Sequence, residues 1–351
     1  MSRLFVLFLF LAMSMIAQAQ EQEEPEKGRK YKLFETKPLN EDYVIDYSDQ
    51  LVLKLYGIVK SNDFSHVNHL TEDELEYHPN ENFNIGFGFA YKFIGLDLAF
   101  NFRGVNHDDD QYGKTKSFDI QSSMYTRKFA IDLVWQRYKG YYMSNPQDYI
   151  AGYNIGIYPI RPDIKTRTYG VSLLYVFNHD DFSYRAAFNY NERQIKSAGS
   201  FLAGPYFSYY RMDADSSLII DEAELFFDTS VDFRGTAFIK MGLAMGYGHT
   251  FVIGKRVFFS LSVIVGGGPE IEKRPELNGQ AADSQSEFAL HVATRAAIGY
   301  NSDRFFTGIS AVAVGDGQRN DNEDYLYRGV SNAKVFVGMR FGAPKVLTDR
   351  L

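Results

Sequence analysis

The sequence of 351 residues contains no cysteine, a single tryptophan and ten prolines. The lack of cysteine excludes disulfides, thiolate metal sites, a cysteine nucleophile and any lipid anchor that needs an N-terminal cysteine. The formal net charge of -7 argues against a general nucleic-acid binder, which needs a basic face for phosphate groups. After residue 20 there is no apolar run long enough for a membrane-spanning helix. These absences remain compatible with a membrane β-barrel, whose apolar residues are diluted by alternation.

The first twenty residues have the pattern of a secretory signal peptide. Arg3 gives a short positive region, an uncharged apolar stretch covers residues 4–16, and Ala17-Gln18-Ala19 has the small residues that a signal peptidase recognises. We therefore predict cleavage near Ala19 and export to the outer membrane of a Gram-negative cell. The predicted organisation is a signal peptide over 1–19, a flexible periplasmic N-terminal segment over 20–47, a barrel over 48–341 and a C-terminal tail over 342–351.

Alternation of large apolar residues with small or polar ones dominates the remaining sequence. It runs without interruption from Phe83 to Phe93 and changes phase after Ile94-Gly95. Period two over eleven residues indicates a β-strand with one apolar face. The change of phase predicts a hairpin in which Phe93 lies opposite Leu96 and Phe89 opposite Phe100.

The same pattern predicts further strands along the chain. Four more hairpins are expected, pairing 118–124 with 129–135, 169–177 with 182–190, 241–247 with 257–265, and 288–300 with the strand that begins at residue 305. Single strands are expected over 51–60, 200–211 and 331–341. Longer polar connections separate them, over 61–82, 104–114, 139–164, 212–235, 268–286 and 316–330. Thirteen strands result, and since bacterial single-chain barrels have an even number, either 216–227 adds a fourteenth or 200–235 is one long excursion and twelve remain.

The predicted fold is all-β: a single antiparallel up-and-down transmembrane β-barrel of 12 or 14 strands, with short periplasmic turns and long outer loops. The alternative is a large soluble β-sandwich or propeller, whose faces also alternate. Aromatic residues near strand ends and charged residues on the less apolar face favour a barrel in lipid with a wet lumen. The charged candidates for the lumen face are Asp97, Arg103, Asp119, Asp132, Arg185, Lys240, His291 and Arg295.

Several segments together resemble a known family. They are residues 83–92 with Gly95-Leu96-Asp97, residues 112–121, residues 136–142, Ser197-Ala198-Gly199-Ser200-Phe201-Leu202 and Asp215-Ser216-Ser217-Leu218-Ile219. This combination resembles a Bacteroidetes family of outer-membrane β-barrel proteins that is classed only as a domain of unknown function. The resemblance covers nearly the whole chain after the signal peptide. It implies an outer-membrane location and supplies no activity, ligand or catalytic residue.

One segment has the spacing of a calcium-binding loop, with oxygen ligands offered by Asp213, Asp215, Ser217, Asp221 and Glu224. Leu218 occupies the position where the sharp turn of such a loop needs glycine, and no helices flank it. We interpret the segment as an acidic connecting loop.

Other polar clusters give weaker signals. His107-Asp108-Asp109-Asp110 and Asn320-Asp321-Asn322-Glu323-Asp324 are interpreted as solvated loop tips, although carboxylates there could bind cations that bridge lipopolysaccharide. His66 and His69 are a weak metal signal without an obvious third ligand. We predict no cofactor and no metal.

Three hypotheses about function follow. The first is a channel or transporter for small polar or amphipathic solutes, with selectivity set by the charged lumen. The second is a non-conducting structural or docking barrel that binds an envelope component. The third is a lipid-modifying enzyme, for which His249 in Tyr247-Gly248-His249-Thr250, His291 and Ser262 are the residues to inspect. The expected partners are outer-membrane lipid and lipopolysaccharide, the barrel-insertion machinery and an envelope protein, with no nucleic acid.

Overall fold

The computed structural model describes residues 40–80, 83–91, 94–101, 108–153, 156, 158–229, 233–273, 284–317 and 324–342. Within them, no helix is long and apolar enough to cross a membrane. The two α-helices of these ranges are α1 (Asp109–Tyr112) and α2 (Tyr184–Phe188). The strands are β1 (Val44–Asp46), β2 (Gln50–Val67), β3 (Glu74–His78), β4 (Asn84–Tyr91), β5 (Ile94–Asn101), β6 (Lys116–Tyr125), β7 (Phe129–Met143), β8 (Ile160–Val176), β9 (Glu192–Gln194), β10 (Ala198–Asp213), β11 (Ala237–Ile253), β12 (Val257–Lys273), β13 (Ser284–Asn301), β14 (Phe305–Gly317) and β15 (Tyr325–Gly342).

The strands form a closed antiparallel barrel. Its hydrogen-bonded circuit runs β2-β3-β7-β8-β10-β11-β12-β13-β14-β15, and β15 pairs with β2 along its whole length to close it. The hairpin β4-β5 is attached to β2, and β6 is attached to β7. The prediction of an all-β antiparallel barrel is confirmed. Its strand count of 12 or 14 is not confirmed, because the closed circuit has ten strands with β4, β5 and β6 as additions, and residues 216–227 contain a 3-10 turn instead of a strand.

The two faces of the wall have opposite chemistry. In β12 every second residue from Val257 onward is outward and apolar up to Val265, whereas Ser260, Ser262 and Glu270 point inward and are buried. Large apolar side chains are exposed on the outer face of the other strands as well. A protein that exposes its apolar residues and buries its charges has the distribution of a barrel in lipid.

Most of the predicted hairpins form as the alternation indicated. The pairs β6-β7, β11-β12 and β13-β14 have the predicted partners, with Met245 opposite Val265, for example. The register predicted for β4 and β5 is wrong, because Phe89 lies opposite Leu96 instead of Phe100. The two registers differ by four residues, and because a shift by an even number leaves every side chain on the same face, alternation alone could not distinguish them.

The predicted hairpin between 169–177 and 182–190 does not form. Strand β8 pairs with β10, and the connection between them, which we call the inner segment (residues 178–197), enters the barrel. Ser183 begins helix α2 by accepting a hydrogen bond from the amide of Ala186 at 3.0 Å. Phe182, Tyr184 and Tyr190 of the inner segment are buried. A segment inside the barrel is surrounded by wall side chains, so its apolar residues need not lie on one face.

The two ends of the barrel differ. One end, the short-turn end, carries the turns 126–128, 254–256 and 302–304. At the opposite, long-loop end, residues 214–229 fold over the opening, and we call them the outer cap. Leu218, Ala223 and Phe227 of the outer cap are buried against Phe64 and Tyr77 of the wall. The described chain therefore covers both ends of the lumen.

Candidate functional site in the barrel interior

Five charged or polar side chains meet inside the long-loop half, and we call them the charge cluster. They come from five consecutive strands and are Lys240, Glu270, His291, Asp316 and Arg328. Lys240 Nζ lies 3.0 Å from Asp316 Oδ1 and 3.7 Å from Glu270 Oε2. Arg328 Nη2 donates to Glu270 Oε2 at 2.5 Å, and His291 Nδ1 lies 2.8 Å from Asp316 Oδ1.

Strand register brings the charge cluster together. Lys240 lies directly opposite Glu270, His291 opposite Asp316, and Asp316 opposite Arg328 in the antiparallel ladders. Directly opposite residues on one face of a sheet are close enough for ion pairs. The cluster thus consists of one cross-strand pair between β11 and β12 and a row of three residues across β13, β14 and β15, and side-chain contacts join the two groups because Glu270 lies opposite Glu287 and not opposite His291.

A second ion pair crosses the interior near its middle. Arg295 of β13 pairs with Asp132 of β7, two strands that are not neighbours in the wall. Asp132 also accepts hydrogen bonds from Ser123 at 2.7 Å and from Ser172 at 3.0 Å. Within the described residues, Nε and Nη1 of Arg295 and the hydroxyl of Ser262 have no hydrogen-bond partner. The interior therefore retains hydrogen-bonding capacity beyond its own pairs.

A third group, the lysine cluster, lies on the inner face beside β5 and β6. Lys54 Nζ is 2.9 Å and Lys334 Nζ 3.3 Å from Asp97 Oδ2, while Lys60 Nζ is 3.1 Å from Asp119 Oδ1. Gly88 lies between Lys54 of β2 and Asp97 of β5 in the strand ladders. Because Gly88 has no side chain, Lys54 and Asp97 can meet across β4. A Cβ at Gly88 would lie 2.3 Å from Asp97 Oδ1 and 2.4 Å from Lys54 Cε.

The structure places seven of the eight predicted lumen residues, and Arg103 lies outside the described residues. Six of the seven point inward from wall strands and make the contacts given above: Asp97, Asp119, Asp132, Lys240, His291 and Arg295. Arg185 is also inside, but on helix α2 of the inner segment, where its Nη1 donates to Glu192 Oε1 at 2.7 Å. It is therefore part of what fills the barrel and not of the wall.

The inner segment is fixed to the short-turn end by specific contacts. Arg340 donates to the carbonyl of Tyr190 from Nε at 2.7 Å and to the carbonyl of Ser302 from Nη1 at 2.5 Å. The ring of Tyr190 stacks on Phe306 with centroids 4.5 Å apart. Strand β9 of the inner segment pairs with β1, so part of the predicted flexible N-terminal segment is an ordered element that helps to cover this end.

His66, His69 and Asp324 fasten the outer cap to the wall. His66 Nε2 and His69 Nδ1 each lie 3.1 Å from an oxygen of Asp324, and the amide of Asp228 in the outer cap donates to Asp324 at 2.9 Å. The interpretation of Asp324 as part of a solvated loop tip is wrong, because this side chain is fully buried. The two histidines share a partner because β2 ends between them and the turn reverses the chain.

Acid should weaken the attachment of the outer cap. Burial opposes ionisation of Asp324, but hydrogen bonds from His66, the Asp228 amide and His69 outweigh it and lower the pKa to about 2. An unfolded aspartate titrates near pH 3.9, so the stabilisation is complete above about pH 4 and is lost as the pH falls toward 2. Hydrogen exchange of residues 214–229, corrected for intrinsic rates, should accelerate over that range. In Asp324→Asn the exchange should already be fast at pH 6, and an unchanged wild-type rate down to pH 2 would contradict the assignment.

The residues of the calcium-like loop do not converge. Asp213 pairs with Arg211 at 2.6 Å, and the Ser217 hydroxyl accepts from the amide of Ile219. Asp221 and Glu224 are exposed on the 3-10 turn. Among the described residues no group of three or more histidine and carboxylate side chains is arranged to hold a metal. Of the other acidic clusters, residues 107 and 320–323 lie outside the described ranges, and Asp108 accepts from Asn80 Nδ2 at 3.0 Å.

Sequence reasoning missed several charged residues of the interior. Glu270 and Asp316 lie in segments predicted as polar connections, 268–286 and 316–330, although β12 and its alternation continue to Lys273 and β14 continues to Gly317. Lys54, Arg328 and Lys334 lie in phase with the inward residues of β2 and β15, and following that phase would have found them. Only the pairing of β15 with β2 and β14 could show which charges meet.

Residues 39–341 match the family described as "Domain of unknown function (DUF4421)". The chain belongs to this family. No curated protein matches it.

Similar solved structures include the outer membrane protease OmpT from Escherichia coli, with 8% identity, a TM-score of 0.31, and coverage of 88% of this chain and 100% of that one. They also include the outer membrane protein OprG from Pseudomonas aeruginosa, with 11% identity, a TM-score of 0.20, and coverage of 84% and 96%. The translocator domain of the autotransporter NalP from Neisseria meningitidis has 9% identity, a TM-score of 0.32, and coverage of 84% and 89%. At these values no function transfers to the DUF4421 chain.

Proposed function

We propose that this DUF4421 protein is an outer-membrane transporter for small solutes that is closed in the conformation described here. Displacement of the inner segment opens its lumen. The observation that carries the proposal is the set of buried charges on the inner wall, in particular the charge cluster and the pair of Asp132 with Arg295.

Stability alone does not explain these charges. Moving ions out of water costs several kcal/mol per ion, and well-packed apolar residues in place of a buried ion pair are often as stable or more stable. A barrel with a purely structural role gains more from an apolar interior. Charged walls with spare hydrogen-bond donors, such as those of Arg295, are suited to polar contents that enter and leave.

The inner segment has the properties of a displaceable barrier. It is a single connection between two strands that are already paired to each other, because Val176 lies opposite Leu202. Its removal therefore need not break the wall. Ion pairs and hydrogen bonds such as Arg340 to Tyr190 and Arg193 to Asp303 (3.0 Å) hold it at the short-turn end. We place this end in the periplasm, since outer-membrane barrels have short periplasmic turns.

Deleting the inner segment should open the barrel. We expect wild-type protein in planar bilayers to conduct rarely, and a variant with residues 180–196 replaced by a short Gly-Ser turn to show stable conductance. In that variant, Arg295→Gln should shift ion selectivity toward cations because Asp132 loses its counter-charge. Single-channel recording with ion gradients measures both effects.

The matched control replaces residues 216–226 of the outer cap by a Gly-Ser linker and keeps the inner segment. It should conduct no better than wild type. Each variant must show the heat-dependent gel mobility of a folded barrel. A folded deletion variant that never conducts would refute the transporter and favour a docking barrel.

A docking role is the second candidate, and one observation favours it. At the long-loop end, Leu70 is 78% exposed and Leu225 95% exposed, with Phe226 beside them. Asn68, which precedes this turn, donates to the Phe226 carbonyl at 2.6 Å and keeps the two segments together. Exposed apolar residues outside the membrane-facing wall are typical of a surface that binds another protein.

We also propose where the protein is located, the kind of organism it comes from and what it contacts. The resemblance noted from the sequence supports a Bacteroidetes source, and the apolar exterior supports insertion in the outer membrane in contact with lipid and lipopolysaccharide, after signal peptide cleavage near Ala19 and delivery to the barrel-insertion machinery. The enzyme hypothesis has less support. His249 is on the outer face of β11, whereas His291 and Ser262 point inward.

A further inference from the structure

The wall has a gap between β5 and β6. These strands are neighbours around the barrel, but in the described ranges no ladder joins them. Toward the long-loop end the wall is continuous, because β3 pairs with β2 on one side and with β7 on the other, where Tyr77 lies opposite Met143. On the β6 edge the carbonyl of Asp119 accepts a hydrogen bond from Lys60 Nζ at 3.1 Å. A side chain of β2 thus satisfies a backbone carbonyl of β6.

Solvent exposure shows that the gap leads into the lumen. The inward residues Ala99 of β5 and Ser123 of β6 are exposed. In β12, by contrast, every inward residue is buried, including Ser262 and Glu270. The side chains of Asp97 and Lys334 are 28% and 25% exposed, although Lys240 and Glu270 in the charge cluster are 1% and 2% exposed. Asp97 and Lys334 of the lysine cluster are therefore partly accessible in a barrel whose two ends are covered, while Lys54 and Lys60 behind them are 12% and 17% exposed.

The gap combines two chemical characters. Its outer rim is apolar, since Leu98 and Phe100 of β5 and Phe118 and Ile120 of β6 are all about half exposed on the lipid side. Its inner side is cationic, because three ammonium groups, those of Lys54, Lys60 and Lys334, form ion pairs with two carboxylates, those of Asp97 and Asp119. Unpaired strand edges in lipid are costly unless other groups satisfy them.

We propose that the gap between β5 and β6 is a lateral entrance for an amphipathic anion. Its alkyl chain lies between the apolar rims in the plane of the bilayer, and its carboxylate or phosphate head binds the lysine cluster. Binding at the gap does not depend on the proposed function, but transport of the bound ligand through the lumen does. If both hold, the substrates of the transporter are single-chain amphipathic anions. Binding at the gap can be tested alone.

Dodecyl phosphate is the probe, with full-length processed protein in lipid nanodiscs. We expect saturable binding, measured by native mass spectrometry and calorimetry, that weakens at least tenfold in the double variant Lys54→Gln/Lys334→Gln. The control Lys139→Gln, at an exposed lysine on the outer face of β7, should bind like wild type. Inorganic phosphate should bind far more weakly, and dodecyltrimethylammonium should not compete. Equal binding by the tailed anion and the tailed cation would overturn the proposal.

A cross-link tests the lateral path without removing a charge. The chain has no cysteine, so Ala99→Cys/Ser123→Cys introduces the only two thiols, both on inward positions of the edge strands. Closing the gap with a short bis-maleimide should block entry of dodecyl phosphate, measured against the binding of the same variant before cross-linking. Unchanged binding after complete cross-linking would overturn the lateral entrance.

The same cross-link separates this inference from the proposed function. If the deletion of the inner segment gives a pore, cross-linking the gap should leave its ion conductance unchanged, because ions pass along the axis. A protein that binds dodecyl phosphate at the gap but never conducts would refute transport and retain the site. A protein that conducts but does not distinguish the tailed anion from the tailed cation would retain transport and refute the site.

Discussion

Lys240→Met is expected to destabilise the folded barrel by about 3–5 kcal/mol, the usual cost of removing one partner from a buried ion pair. The ammonium group lies between Glu270 and Asp316 and also donates to the carbonyl of Leu290 at 2.8 Å. Without it two carboxylates share a buried site in which, among the described residues, Arg328 and His291 are the remaining counter-groups. Denaturant unfolding in detergent micelles, followed by heat-dependent gel mobility, measures the change.

The control for this prediction is Lys139→Met on the outer face of β7, which should change the free energy of unfolding by less than about 0.5 kcal/mol, as for surface substitutions. The double variant Lys240→Met/Glu270→Gln should recover part of the loss, because it removes one of the two stranded charges. If Lys240→Met were as stable as wild type, the charge cluster would have to be hydrated in solution, and the prediction would be wrong.

Arginine at Leu98 is expected to cost about 2–4 kcal/mol, whereas arginine at the adjacent Ala99 should cost much less. Leu98 is half exposed on the lipid face of β5, so an arginine there must enter hydrocarbon. Ala99 points inward and is exposed beside Asp97, where a cation finds both water and a carboxylate. Equilibrium unfolding in liposomes compares the two variants.

The pair Leu133→Arg and Val134→Arg on β7 repeats this test on a strand of the closed circuit. Leu133 faces outward with Ser122 opposite, and Val134 faces the interior next to Gly170. Similar losses at both members of both pairs would mean that the assignment of lipid and lumen faces is wrong. The predictions for Leu98 and Leu133 depend only on faces and would hold for any register of β4 with β5 that differs by an even number of residues.

Much of the architecture was predictable because alternation is a local property. From Val257 to Val265, for example, the alternation predicts part of β12 and which of its residues face lipid. The positions of Lys240, His291 and Arg295 on the inner face follow from the same rule. Slips by an even number of residues conserve this pattern, which is why the register predicted for β4 with β5 was wrong although Phe87 and Leu98 face outward as predicted.

The inner segment shows where local reasoning failed. Phe182, Tyr184, Ala186, Phe188 and Tyr190 alternate as a strand does, but they form a capped helix and a turn inside the barrel. A strand is stable only if a neighbour satisfies its backbone groups, and β8 already has β7 and β10 as neighbours. Which edges are free depends on the order of strands around the closed wall.

The sequence by itself determined that this chain alternates, that one face of its strands suits lipid and the other carries charge, and that no chemistry depends on cysteine. The tertiary structure decided the rest: the ten-strand circuit, the covered ends, the partners of each buried charge and the gap between β5 and β6. The physical reason is that alternation depends on neighbours two residues apart, whereas ion pairs such as Asp132 with Arg295 join residues that only closure of the barrel brings together.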